Sequence, residues 1–160
     1  MCDTTLFEYD FRERLPALAR LTGASQYHLA STCWVGGHER AAVEGEYHSS
    51  EEYLEAWHEL TGTALTRDQW QQARAAAMGP MQGAIDALSR VASRGTVSLL
   101  SNNPVPFRDS LPLLAPDVSE ILQGNDLTSA VLGASKPERR GVHESPEQVR
   151  GAPGERDPDR

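Results

Sequence analysis

The apolar residues of this chain change their spacing near residue 96. Across residues 11–95 they recur mostly three or four positions apart, as in Met81, Ile85 and Leu88, which is the spacing of amphipathic helices. The run from Thr96 to Leu100 is instead short, β-prone and followed by a polar loop, which is typical of a strand. Helical segments that give way to a strand and then to further helix and strand signals predict an α/β fold with a parallel sheet.

Capping signals and glycines divide the helical part of the chain into segments. Ser49 to Glu52 and Thr66 to Gln69 each have the pattern of a capping box, in which side chains at both ends of a four-residue segment bond to backbone amides. The expected elements are helices that begin at Asp10, Ser25, Ser49, Thr66 and Met81, a break at Gly79-Pro80, a short helix from Phe107 to Leu114, and weaker strands at Ile121-Leu122 and Ala130–Leu132.

Length and charge limit the classes of protein to which the chain can belong. Its 160 residues are the size of one domain. The net charge of −8 excludes a general binder of nucleic acids or of anionic membranes. No apolar run reaches the roughly 18–20 residues that span a bilayer, and no signal peptide is recognised. The two cysteines, Cys2 and Cys33, do not form a disulfide scaffold, so a cytoplasmic protein is expected.

Polar residues stand at three places where strands of the predicted sheet would end. Asp3 follows a possible strand, Ser101 and Asn102 follow the clearest strand, and Lys136, the only lysine in the chain, follows the last one. Open α/β sheets bind ligands at this carboxyl edge. A hydroxyl and backbone amides can bond to the oxygens of a small anion, a lysine can offset its charge, and a carboxyl group can move a proton. These residues therefore predict a site for a small anionic substrate.

The order and spacing of these residues resemble the haloacid dehalogenase-like (HAD) hydrolase superfamily. Leu99-Leu100-Ser101-Asn102-Asn103 is similar to its second motif, a hydrophobic strand that ends in Ser or Thr and is often followed by Asn. Gly133-Ala134-Ser135-Lys136-Pro137 is similar to its third motif, Gly-x-x-Lys-Pro. Asp3-Thr4-Thr5-Leu6 is similar to the latter part of its first motif. The long helical segment between the first and second motifs resembles the helical cap of the family.

The resemblance implies a fold, a reaction and a cofactor. A Rossmann-like core would comprise residues 1–10 and 82–137, and an inserted α-helical cap would comprise residues 11–81. A relative of this kind attacks a phosphate ester or a haloacid with an aspartate and then hydrolyses the covalent intermediate. Asp3 would be the acid/base, Ser101 and Asn102 would hold the transferring group, and Lys136 would offset its charge. Magnesium is the metal of the family, and the backbone carbonyl of Asp3 would be one of its ligands.

The chain departs from the family pattern at both ends. The nucleophile of the family would align with Met1, and its acidic fourth motif is not recognised after Lys136. Residues 138–160 hold eleven charged residues, three prolines and three glycines, a composition that predicts a disordered tail. We therefore expect an N-terminal truncation, a frameshift near residues 138–141, an incomplete magnesium site and no catalytic activity in the chain as written.

Two other interpretations remain open from the sequence. The chain could be a non-catalytic module that binds a small anion at Ser101 and Lys136, or a truncated gene product without a settled function. The partner expected in the first case is a small anionic molecule, with no nucleic acid and no membrane. The sequence does not separate phosphatase from dehalogenase chemistry, because details of the cap decide between them, and it does not indicate the oligomeric state.

The remaining polar and aromatic residues are interpreted as structural. The histidines have no metal-ligand spacing, and Cys33 is expected to be a buried thiol and not a nucleophile, because no adjacent base is evident. Trp34, Tyr53, Trp57 and Trp70 are expected to pack within the cap, although Trp34 could instead line the entrance for a substrate. The residues expected on a solvated helix face are Glu51, Glu52, Glu55 and Glu59.

Overall fold

The computed structural model describes residues 5–132, which form helices around two small sheets. The helices are α1 (Phe11–Thr22), α2 (Gln26–Leu29, continued by a π-helix over Ala30–Val35), α3 (His38–Glu44), α4 (Ser50–Thr61), α5 (Arg67–Ala76), α6 (Gln82–Ala92), α7 (Val105–Leu114), α8 (Pro116–Leu122) and α9 (Ser129–Leu132). The strands are β1 (Phe7–Tyr9), β2 (Met78–Pro80), β3 (Leu99–Ser101) and β4 (Asp126–Thr128).

Strands β3 and β4 form a parallel pair with Ser101 opposite Thr128. Two helices, α7 and α8, connect the end of β3 to the start of β4, as a parallel pairing requires, because the chain must return to the same end of the sheet. Helices α4 and α5 pack against α7. The predicted α/β class with a parallel sheet is therefore confirmed.

A two-stranded antiparallel ribbon joins the two ends of the helical segment from α1 to α5. In this ribbon Phe7 pairs with Pro80 and Tyr9 pairs with Met78. It is extended at both ends by backbone hydrogen bonds, from Asp10 to the carbonyl of Ala77 and from Met81 to the carbonyl of Leu6, each 2.9 Å long. The five intervening helices thus leave and re-enter the rest of the chain at one place. The division into a core and a cap at residues 11–81 remains a prediction.

Several predicted elements are wrong in position or type. Ile121 and Leu122 end helix α8, and Ala130 to Leu132 lie in helix α9, so neither segment is a strand. Short aliphatic runs carry no periodicity that separates a strand from a buried helix. The strand lies between them, after Gln123 and Gly124, which have φ angles of 49° and 86° and end α8 by turning the chain. The predicted break at Gly79-Pro80 is part of β2, and α3 was not predicted.

The predicted helix starts at Ser49 and Thr66 are confirmed, but only one of them is a complete capping box. The Thr66 hydroxyl accepts a bond from the Gln69 amide, and the Gln69 side chain accepts one from the Thr66 amide. The Ser49 hydroxyl likewise accepts a bond from the Glu52 amide, but the Glu52 carboxylate accepts its bond from the His48 amide. Side-chain caps of this kind stabilise a helix by about 1 kcal/mol.

Aromatic side chains fill the space between the helices of the first half. Tyr53 and Trp57 on α4 and Trp70 on α5 are fully buried. The imidazole ring of His38 lies 4.6 Å from the ring of Tyr53 and 5.9 Å from that of Trp57. The His38 Nδ1 atom shares a 3.0 Å hydrogen bond with the Tyr47 hydroxyl. This packing confirms that these aromatic residues form a core.

The burial of His38 gives a testable pH dependence. Burial lowers the pKa of His38 below its ordinary value, and Glu39 opposes this only in part. The unfolded chain therefore binds a proton at this position more readily than the folded chain, so stability falls as the pH drops below the ordinary histidine pKa of about 6.5. We expect the loss of unfolding free energy between about pH 7.5 and about pH 5.5 to be smaller in His38→Asn than in the wild type, as measured by urea denaturation.

The matched control is His48→Asn, because His48 is exposed. The unfolding free energy of His48→Asn should change with pH as that of the wild type does. An unchanged pH dependence in His38→Asn would show that the buried imidazole does not contribute.

Within residues 5–132, no helix has the length and apolar character needed to cross a membrane. The disordered tail predicted at residues 138–160 lies outside the described residues.

Candidate functional site

The carboxyl end of β3 carries two buried polar side chains. Ser101 and Asn103 are both almost completely buried. The Asn103 amide Nδ2 donates a 2.8 Å hydrogen bond to the Ser101 hydroxyl oxygen, and the Asn103 backbone amide donates a 3.1 Å bond to the Ser101 carbonyl. These two bonds turn the polar loop back against the end of the strand. Asn102, between them, is half-buried.

Helix α5 brings a buried cation to this loop. Arg74 lies on the same face of α5 as the buried residues Trp70 and Ala73, because residues three and four apart share one side of a helix. Its Nη2 atom donates a 3.3 Å hydrogen bond to the Oδ1 atom of Asn103. The bond joins the helical segment to the end of β3.

Aromatic rings hold the Arg74 guanidinium in place. Its Cζ atom lies 4.5 Å from the ring centre of Tyr9 and 4.9 Å from that of Phe107. Cations that are desolvated against aromatic faces in this way are stabilised by about 2 kcal/mol. The Nε atom of Arg74 also lies 3.3 Å from the sulfur of Met78. A positive charge is therefore fixed two hydrogen bonds away from the Ser101 hydroxyl.

The last residue of β4 and the first residue of α9 add two hydroxyl groups at the end of the strand pair. Thr128 is the partner of Ser101 in the parallel register, so their side chains lie on the same face of the strand pair. Thr128 and the following Ser129 are fully buried. Among the residues that the structure describes, neither hydroxyl has a hydrogen-bond partner. Buried polar groups usually have one, so these two hydroxyls are candidate donors to a ligand at this edge.

A second buried cation lies within the helices, next to the ribbon. Arg14 of α1 donates a 3.2 Å hydrogen bond from Nη1 to the Tyr9 hydroxyl, and its Nη2 atom lies 3.7 Å from a carboxylate oxygen of Glu39. Tyr53 donates a 2.5 Å bond to that same oxygen. Burial opposes the charge of Arg14, but Glu39, with help from Tyr9 and Tyr53, raises the pKa of the guanidinium above its ordinary value. Arg14 therefore stays charged.

The structure places some of the predicted site residues and not others. Ser101 and Asn102 lie together at the end of β3, as predicted. Asp3 and Lys136 lie outside the described residues, so their positions in the site stay predictions. Asn103 belongs to the predicted second motif but had no role there, and Arg74 was not predicted. The Asn102-Asn103 doublet was a usable signal for Asn103, whereas nothing in the sequence distinguishes Arg74 from the other arginines.

The other residues singled out from the sequence are exposed or packed within the helical segment. His28 and His48 are exposed, as are the acidic side chains predicted to face solvent on α4. Burial raises the pKa of the Cys33 thiol to about 12, and the negative charge of Glu39 contributes a smaller part of this rise. Cys33 is therefore a protonated thiol at neutral pH. Trp34 packs edge-to-face on Phe11 with ring centres 4.8 Å apart.

Comparison with known proteins reveals the fold. No protein-family model matches the chain, and no curated protein is similar to it in sequence. Two solved structures superpose closely. A HAD family enzyme from Bacteroides thetaiotaomicron matches with a TM-score of 0.68 and 16% identity over 92% of this chain and 75% of its own. The chain has a HAD-like fold. A predicted HAD-like family hydrolase from Porphyromonas gingivalis matches with a TM-score of 0.71 and 18% identity over 92% of this chain and 73% of its own.

The HAD-like fold raises the question of a magnesium site at the carboxyl edge of β3. Magnesium prefers carboxylates, water and other oxygen ligands in an octahedral arrangement. The described residues at this edge supply the hydroxyls of Ser101, Thr128 and Ser129 together with the guanidinium of Arg74. These described groups by themselves do not form a ligand set that fits a divalent metal, and the predicted ligand, the Asp3 carbonyl, lies outside the described residues. Within residues 5–132, moreover, no three His, Cys, Asp or Glu side chains come together as metal ligands.

Proposed function

We propose that this chain is a HAD-like hydrolase that acts on a small anionic substrate, and that the anionic group binds at the carboxyl end of β3. The observation that carries the proposal is the buried Ser101 hydroxyl, which is linked through Asn103 to the buried cation Arg74. A hydroxyl held in a water-poor place near a positive charge is suited to the oxygens of a phosphate-like group, because such contacts are stronger in a low dielectric.

The proposed roles follow from the chemistry of each group. Ser101 would donate a hydrogen bond to an oxygen of the transferring group, and Asn102 would bind beside it. Lys136 would offset the charge of the group, and Asp3 would act as the acid/base. The reaction would proceed through an aspartyl intermediate, of phosphatase or haloacid type, only where an aspartate nucleophile is present, and we propose that the chain as written is inactive. We assign no residue of this chain as the nucleophile, and we derive no step that involves magnesium.

The proposed compartment is the cytoplasm. The buried Cys33 is a free thiol, which suits a reducing compartment. The proposed partner is the small anionic substrate alone.

Truncation of the Ser101 hydroxyl tests the proposal. Any turnover of a generic phosphate ester by the wild type with magnesium present is expected to fall about 10²- to 10³-fold in Ser101→Ala, the usual cost of removing one donor to a developing charge. We expect Ser101→Ala also to weaken the binding of inorganic phosphate, followed by NMR titration. Calorimetric or urea unfolding would show that the variant is folded.

The matched control is Ser98→Ala, because Ser98 precedes the same strand but is exposed. It should leave both measurements unchanged. Phosphate binding without turnover would favour the non-catalytic anion-binding module over the hydrolase. A wild-type chain that binds no phosphate and turns over no phosphate ester or haloacid would overturn both the hydrolase and the anion-binding module.

A further inference from the structure

We propose that Arg74 is a positioning residue that, through Asn103, makes the Ser101 hydroxyl a hydrogen-bond donor toward the bound anion. The proposal deepens the function assigned above and rests on it. It assigns a role to a residue of α5 that lies 27 positions before Ser101 in the chain.

The first step concerns the orientation of the Asn103 amide. A guanidinium has only hydrogen-bond donors, so the Asn103 atom that faces Nη2 of Arg74 must be the acceptor Oδ1. The other end of the amide is then the NH₂ group, which faces the Ser101 hydroxyl oxygen at 2.8 Å. Arg74 therefore excludes the flipped amide, in which the carbonyl oxygen would face Ser101.

The second step concerns the Ser101 proton. Because the Asn103 amide donates to the Ser101 oxygen, the Ser101 hydroxyl cannot donate its own proton to Asn103. Within the part of the chain that the structure describes, no acceptor takes that proton. An amide in the opposite orientation would instead accept it and turn the hydroxyl away from a ligand. The Ser101 proton is thus kept for an acceptor at the sheet edge, such as an oxygen of a phosphate-like group.

The third step concerns what holds Arg74 in place and what strengthens the Ser101 hydroxyl as a donor. Arg74 is buried, and its guanidinium lies between the rings of Tyr9 and Phe107. Donors linked in a series that starts at a cation polarise one another, which strengthens the last donor. Since Arg74 belongs to α5 and Tyr9 to the ribbon, the packing of the helical segment determines how well Ser101 donates.

Asn103→Asp tests this proposal with little change of shape. A carboxylate still accepts a bond from Arg74, so the fold should be kept, but it cannot donate to Ser101 and would instead accept the Ser101 proton. We expect Asn103→Asp to weaken the binding of inorganic phosphate about 10- to 100-fold, the usual effect of a hydrogen bond to a charged group. The binding is measured by NMR titration of the full chain, and urea unfolding verifies stability.

Asn103→Asp both removes a donor and adds a negative charge. Repeating this substitution in the Ser101→Ala variant separates the two effects. Without the hydroxyl, Asn103→Asp should weaken phosphate binding by less than about threefold, because its effect passes through Ser101. Asn125→Asp, at the opposite end of the strand pair, is the matched control for charge and should leave phosphate binding unchanged. An equal loss with and without the Ser101 hydroxyl would show that charge repulsion alone acts, and would overturn the proposal.

A readout without ligand separates this proposal from the function on which it rests. In the free chain the Nδ2 proton of Asn103 that is bonded to Ser101 should exchange slowly with solvent. Arg74→Gln should accelerate its exchange, because a glutamine can accept as well as donate and so no longer excludes the flipped Asn103 amide. Ser101→Ala, which removes the acceptor of this bond, should accelerate the exchange as well. If the wild type binds no phosphate but these changes occur, the proposed function fails and the positioning role of Arg74 stands. Unaltered exchange in Arg74→Gln would overturn that role.

Discussion

Replacing Glu39 by glutamine is expected to lower the free energy of unfolding by about 3–5 kcal/mol, the cost of leaving a buried charge without its partner. Glu39 is the acidic partner of Arg14, and the side chain of Arg14 is only 4% exposed. Within residues 5–132, the Nε and Nη2 atoms of Arg14 have no hydrogen-bond partner, so the carboxylate is the main compensation for the charge. Tyr53 would also lose the charged acceptor of its hydroxyl. Urea unfolding at neutral pH measures the change.

A matched pair on the surface provides the control. Glu51 also pairs with an arginine, Arg67, but the Glu51 side chain is 68% exposed, and exposed pairs contribute about 0–1 kcal/mol. Glu51→Gln should therefore have little effect. Removing both buried charges, in Arg14→Met with Glu39→Gln, should recover much of the lost stability, because no charge is then left unpaired. A Glu39→Gln variant as stable as Glu51→Gln would show that Arg14 is solvated in the folded protein.

The two buried arginines give the helical segment an electrostatic connection to the candidate site. Arg14 donates to the hydroxyl of Tyr9, and the ring of the same tyrosine covers Arg74. Tyr9 stands on β1, where the helical segment joins the rest of the chain. A single residue at this junction therefore contacts both cations, so the geometry of the junction and the geometry of the Ser101 edge are linked.

The sequence signals that succeeded are local ones. Strand β3 and the polar loop after it could be predicted because the change in apolar spacing and the run Ser101-Asn102-Asn103 lie side by side. The Thr66 cap could be predicted because its partner Gln69 is three residues away. Each of these features depends on neighbours within one turn or one strand, and such neighbours are visible in the sequence.

The features that the sequence did not predict depend mostly on contacts between residues that are far apart in the chain. Arg74 takes part in the site because α5 packs against α7, and the sequence does not show that packing. Strand β4 has a single aliphatic residue, Leu127, whereas the run from Ala130 to Leu132 is more apolar. The sequence therefore predicts a strand at the second segment and not at the first. Helix α3 could not be predicted because paired glycines usually mark the end of a helix, whereas Gly37, at a φ of 97°, leads directly into α3.

Replacing Trp70 by alanine is expected to lower the free energy of unfolding by about 3–5 kcal/mol, as large aromatic deletions in cores do. Trp70 is fully buried on α5, and its indole Nε1 donates a 3.3 Å hydrogen bond to the Tyr53 hydroxyl. The Cζ atom of Arg14 lies 5.4 Å from the centre of its ring. The substitution therefore leaves a cavity and a less stabilised cation, and the Tyr53 hydroxyl keeps only its bond to Glu39. Urea unfolding measures the loss.

Two further variants make the Trp70 result specific. Tyr27, with 83% of its surface exposed, is the control, and Tyr27→Ala should change stability by no more than about 0.5 kcal/mol. Trp70→Phe keeps most of the ring but loses the indole donor, so its cost should fall between those of the other two variants. A loss below about 1 kcal/mol in Trp70→Ala would be too small for a close-packed site and would show that Trp70 does not anchor α5. In that case the packing that holds α5 would have to come from its other contacts, with α1, β2 and α7.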